Sequence, residues 1–82
     1  MSRIHIVLRA IGSPVCTVPD CAPALGISYA TIHQRLKNHP ELTKPDTYRA
    51  GGQQMWSVDE AIAWCEKHQV EWDAIQAARG RG

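Results

Sequence analysis

The sequence predicts a small, mainly helical domain carrying one β-hairpin. Three stretches predict it. Val18 to Asn38 reads as two short helices joined by a tight turn at Gly26. Asp46 to Ser57, with Gly51-Gly52 at its tip, reads as a two-stranded hairpin. Ser57-Val58-Asp59-Glu60 has the S-x-x-E spacing of a capping box and opens a run with no glycine or proline until Gly80.

Composition sets the bounds. At 82 residues the chain is one domain with a modest core. Its 44% hydrophobic and 21% charged residues are ordinary for a globular protein. No run of 18 apolar residues suggests a membrane span, and the N-terminal apolar stretch is too short for a signal peptide. Three cysteines are an odd number without a disulfide framework, which fits a reducing cytosol, so a cytoplasmic location is expected. Net charge is only +1, but it is unevenly spread. Ser28 to Trp56 carries Arg35, Lys37, Lys44 and Arg49 against Glu41 and Asp46. Ser57 to the end carries Lys67, Arg79 and Arg81 against Asp59, Glu60, Glu66, Glu71 and Asp73. A mildly basic middle followed by an acidic third leaves one side of the molecule suited to phosphates.

The elements follow in order. Arg3 to Ile11 fits two templates. Ile4, Ile6 and Leu8 alternate as in a strand, whereas Ile4, Val7, Leu8 and Ile11 recur as on one helix face. The helix is favoured, because Gly12 and Pro14 then form its stop signal. Residues 12–17 read as a turn and a short extended piece. The first helix of the central pair contains Pro23, which is tolerated only in a first turn. That helix therefore either starts late, with Asp20 as N-cap, or is distorted. After Gly26, Ser28 stands where an N-cap belongs. Ile32 and Leu36 share the buried face of the next helix, with Ile27 closing the same edge from the turn. Tyr29, Ala30, His33, Gln34 and Lys37 share the opposite face, and none of them is acidic. That helix ends near His39, before Pro40. Glu41 to Pro45 is a connector. In the hairpin both faces carry an aromatic residue, Trp56 or Tyr48, so pattern alone leaves its register open. Beyond Val58 the apolar positions are Val58, Ala61, Ile62 and Cys65, and a heptad frame runs through Val58, Cys65 and Trp72 with Ala61, His68 and Ile75. One long helix and two helices broken near 68–70 fit equally. Residues 79–82 read as a loose tail with a minor phosphate contact as its alternative.

Leu25-Gly26-Ile27-Ser28, with small Cys21 and Ala22 before it and Thr31-Ile32 and Arg35-Leu36 after it, resembles the helix-turn-helix. The opening string R-I-x-x-x-L-R-A-I-G-S-P-V-x-T-V resembles winged helix-turn-helix domains, as does the order helix, short strand, helix, turn, helix. The hairpin running into W-S-x-x-E-A is similar to the MerR and excisionase families and to phage terminase small subunits. The resemblance implies a winged helix-turn-helix, with a three-helix core and wing over 1–57, a C-terminal helical extension over 58–79 and a flexible tail over 80–82. It implies sequence-specific binding of double-stranded DNA by a small transcriptional regulator of phage or mobile-element type. The second helix of the pair would enter a major groove. His33 and Gln34 are the candidates for base contacts, with Tyr29 and Lys37 beside them. Ser28, Thr31, Arg35 and Asn38 suit phosphates, and Arg49, Gln53 and Gln54 of the wing suit the adjacent backbone or minor groove. A homodimer on a repeated half-site is expected, with Ile62, Trp64, Trp72 and Ile75 as its interface. The alternatives are a DNA-packaging or recombination accessory factor, and a protein-interaction module whose acidic C-terminal third is the binding face.

No catalysis, cofactor or metal is expected. His5, Cys65 and His68 have no serine or carboxylate at a telling spacing, and Gly51-Gly52 lacks the lysine and helix that follow a phosphate loop. Cys16, Cys21, His33 and His39 are spaced C-x4-C-x11-H-x5-H, which nearly fits a zinc finger. The finger's apolar spacer is missing, and the helix-turn-helix reading puts Cys21 inside and His33 outside.

Overall fold

The computed structural model describes residues 3–45 and 55–80. The described chain is mainly helical, with one small antiparallel sheet. Helix α1 spans Arg3–Arg9, and strand β1 is Val15–Cys16. A 3₁₀ turn over Val18–Asp20 leads into α2, Cys21–Leu25. Helix α3 is Tyr29–Asn38, strand β2 is Trp56–Ser57, and α4 runs over Val58–Gly80.

The choice between helix and strand for the first segment is settled by which side chains are buried. Ile4 and Leu8 lie in the core, while Ile6, which alternation would bury with them, is exposed. Gly12, at φ 76°, stops α1 with its N–H on the Arg9 carbonyl.

The next turn explains how Pro23 fits. Asp20 turns its carboxylate back, accepting the Thr17 N–H at 2.8 Å and the Thr17 hydroxyl at 3.1 Å. Helix α2 therefore starts late, at Cys21, with Asp20 in the capping position. Pro23 becomes its third residue, where the missing N–H has no intrahelical partner to lose. Gly26 ends α2 in the left-handed region at φ 72°. Its N–H donates to the Pro23 carbonyl and that of Ile27 to the Ala22 carbonyl, the paired bonds of a Schellman motif. Ser28 then caps α3 by accepting the Thr31 N–H at 3.1 Å.

The sheet forms between distant segments. Val15 lies opposite Ser57 and Cys16 opposite Trp56, antiparallel. The Val58 N–H reaches the Pro14 carbonyl at 3.0 Å and carries the pairing into the first residue of α4. Most of the expected hairpin, including its glycine tip and Arg49, Gln53 and Gln54, lies outside the described residues.

Helix α4 is continuous through residues 68–70, so the version with a break does not hold, and Arg79 belongs to its last turn instead of a loose tail. The S-x-x-E box opens it: the Glu60 N–H donates to the Ser57 hydroxyl oxygen, and that hydroxyl donates to Glu60 Oε1, both at 3.1 Å. With 23 residues it is about 34 Å long at 1.5 Å per residue. Its first half buries Val58, Ala61, Ile62, Trp64, Cys65 and His68 against Leu8, Val18, Cys21, Ile32 and Leu36. This half belongs to the same core as α1–α3. The connector is tied down from the same side. The Trp64 indole donates to the Thr43 carbonyl at 3.0 Å, and Thr43 donates its N–H and hydroxyl to the Glu71 carboxylate. Among the described residues no helix is long and apolar enough to cross a membrane.

Candidate nucleic-acid interface

The outer face of α3 follows from its buried one. Ile32 and Leu36 are fully buried, which rolls the opposite side of the helix outward. Ala30, His33, Gln34 and Lys37 are exposed there, and with half-buried Tyr29 they line one shallow open depression. These are the five residues whose spacing predicts a shared face. Arg3, not singled out in the sequence, lies near the turn before α3. A β-carbon at Gly26 would meet the Arg3 guanidinium at 3.5 Å, so this cation sits over the turn that starts α3.

The residues expected at phosphates divide. Asn38 is exposed at the end of α3. Ser28 and Thr31 bond each other's hydroxyls at 2.9 Å as part of the cap. Arg35 departs from the expectation of an outward phosphate ligand. Its guanidinium lies 4.0 Å from the centre of the Trp72 ring, and its Nη1 is 3.2 Å from Nε2 of His68. Position 35 is three residues after Ile32 and one before Leu36, at the edge of the buried stripe, and this edge faces α4. Trp64, His68 and Trp72 recur every four residues along one side of α4 and make the shelf on which Arg35 rests. That spacing was the available signal for His68 and Trp72.

His68 is the one buried polar residue among those described. It stacks on Trp64 with ring centres 5.0 Å apart. Burial, and then the charge of Arg35, hold its pKa below the ordinary value, with Glu71 acting the other way. Neutral imidazole accepts from Arg35 at Nε2, which puts the ring proton on Nδ1. His39, at the C-terminal cap of α3, packs edge-on against Trp72 at 5.2 Å. The end of α3 thus meets α4 through the Arg35, His39 and Trp72 side chains.

Of the four expected dimer residues, Ile62 and Trp64 are buried in the chain's own core and are not presented to a partner. Trp72 and Ile75 are half-buried and pack against that core from its edge. The acidic side chains of α4 are engaged within the chain. Asp59 pairs with Arg9 at 3.0 Å, Glu66 lies 3.5 Å from His5, Glu60 binds Ser57, Glu71 binds Thr43, and Asp73 accepts from Gln69.

The zinc-like spacing does not converge. Cys16 and Cys21 are buried in the core beside Cys65, whereas His33 lies on the outer face of α3 and His39 against Trp72. Burial, followed by the neighbouring Cys21 and Asp20, pushes the Cys16 thiol up to about 11. A hydrogen bond with Cys65, and then burial, push Cys21 higher still. Among the described residues no three His, Cys, Asp or Glu side chains gather in an arrangement that could hold a metal ion.

No family model matches the chain, and no curated protein or solved structure does.

Proposed function

We propose that this chain is a winged helix-turn-helix protein that binds double-stranded DNA sequence-specifically, as a small cytoplasmic transcriptional regulator of phage or mobile-element type, without catalysis. One observation carries the reading. The second helix of a tightly turned pair presents one continuous face, half-buried Tyr29 with exposed Ala30, His33, Gln34 and Lys37, and among the described residues no carboxylate lines it. Gln and His can read base edges from a major groove, while Lys37 and Arg3 suit the flanking phosphates. The small antiparallel sheet of β1 and β2 supports the reading, because a winged domain also carries such a sheet. The carboxylates of α4 take part in internal contacts, which favours DNA binding over an interaction module with an acidic binding face.

A module of this size gives limited specificity alone, so a homodimer on a repeated half-site remains part of the proposal. Of the expected interface Ile75 is left to supply it, because Trp72 is taken up within the chain by Arg35 and His39. The test is substitution on the exposed face. His33→Ala and Gln34→Ala should each weaken discrimination against mismatched sites by about 1–3 kcal/mol per lost base contact, with folding intact. Unchanged discrimination in both variants would remove α3 as the reading helix.

A further inference from the structure

A second groove lies beside the α3 face, between α3 and the last turn of α4. Thr31, Gln34 and Asn38 line it from α3, His39 from the C-cap of that helix, and Arg79 from α4. Its floor is Arg35 stacked on Trp72. The groove therefore holds two guanidinium groups, the His39 imidazole, whose Nδ1 is 3.0 Å from Glu41, and three neutral hydrogen-bonding side chains, and among the described residues no carboxylate is part of its lining. Asp73 acts on Arg35 electrostatically and offsets part of its charge, while its carboxylate also accepts from Gln69 at 3.2 Å. Arg35 Nε is buried and lacks a hydrogen-bond partner among the described residues.

We propose that this groove is a binding site for one backbone phosphate of duplex DNA, closed by Arg79 from α4. The proposal rests on the DNA-binding reading above and extends it to the C-terminal helix. Residues 31, 34 and 38 form the flank of α3 next to the face carrying residues 29, 30, 33 and 37, and Gln34 borders both. A helix seated in a major groove has a phosphate row along each flank. Here one row would meet Asn38 and Thr31, with Arg79 reaching over from α4. The carbonyls at the end of a helix carry partial negative charge and repel an anion. Arg79, in the last turn, is therefore the group that makes this end of α4 compatible with phosphate. Arg35 adds positive charge from below while it remains held by Trp72 and His68.

The test compares duplex-DNA affinity over a range of salt for the unsubstituted protein, Arg79→Gln and Lys67→Gln. Lys67 is exposed on the same helix, does not line the groove, and removes the same charge. Thermal melting checks that each variant is folded. Expected is a plot of log affinity against log salt that flattens by about 0.9 for Arg79→Gln, the share of one phosphate contact. Lys67→Gln should keep the original slope. If the unsubstituted protein binds duplex DNA and Arg79→Gln keeps its slope, or Lys67→Gln flattens it equally, the groove is not a phosphate site and the DNA-binding reading stands. If the unsubstituted protein does not bind duplex DNA at either end of the salt range, both proposals are overturned together.

Discussion

Replacing Gly26 by alanine tests the turn on which the proposed interface depends. At φ 72° an alanine sits in the left-handed region, which costs about 1–2 kcal/mol for a residue with a β-carbon. The added atom would meet only the flexible end of Arg3, at 3.5 Å, an ordinary van der Waals separation, so packing adds little. Two other glycines serve as internal controls. Gly12 has the same handedness, φ 76°, and open space around it, so Gly12→Ala isolates backbone strain. Gly80 ends α4 with neither positive φ nor neighbours, so Gly80→Ala should be neutral or slightly stabilising. Total stability for 82 residues is on the order of 4–12 kcal/mol, so Gly26→Ala removes a noticeable share of it. Urea unfolding at constant m should place Gly26→Ala and Gly12→Ala about equally below the parent, with Gly80→Ala at or above it. Asparagine tolerates this backbone better, so Gly26→Asn should recover part of the loss. A Gly26→Ala protein as stable as the parent would refute the left-handed Schellman turn and the α2–α3 angle that depends on it.

Further consequences concern the α4 side of the core. Trp64→Phe keeps most of the buried ring but leaves the Thr43 carbonyl without the indole donor, so stability should fall by about 1–3 kcal/mol in urea unfolding. The His68 pKa is lowered in the folded chain, so the unfolded chain binds a proton first as pH falls. This contribution to stability is therefore fully present above the ordinary value of 6.5 and is lost progressively as pH drops below it. The groups facing His68 are Arg35, Trp64 and Glu71. A melting temperature that declines from about pH 7 to about pH 5 is expected, with a shallower decline in His68→Gln. Equal declines in both proteins would mean that His68 is not held neutral.

What the sequence makes legible here is local. Gly26, Ser28 and the Ser57–Glu60 box each act through bonds within a few residues, so each could be placed from its neighbours alone. For Arg3 to Ile11 the stop at Gly12 favours a helix over a strand, and the burial of Ile4 and Leu8 with Ile6 exposed settles it. The outer face of α3 was equally accessible, since Ile32 and Leu36 determine which way the helix rolls. The remainder depends on pairs far apart in the chain. Val15–Cys16 finds its strand partner at Trp56–Ser57, which local hairpin patterning does not point to. Arg35 looks like any polar helix residue until Trp72 and His68 are brought beneath it. A heptad frame through Val58, Cys65 and Trp72 cannot distinguish a dimer seam from a core, because both bury the same stripe. In this chain α1, α2 and α3 fill that seam from within.

The most direct measurement is selection from a random-sequence duplex pool at low and physiological salt, followed by sequencing of what remains bound. An enriched sequence that survives physiological salt, and whose enrichment collapses in His33→Ala or Gln34→Ala, is the expected result. A repeat within it would give the spacing of the dimer. Binding that disappears with salt and enriches no sequence would contradict a sequence-specific regulator that reads DNA through α3.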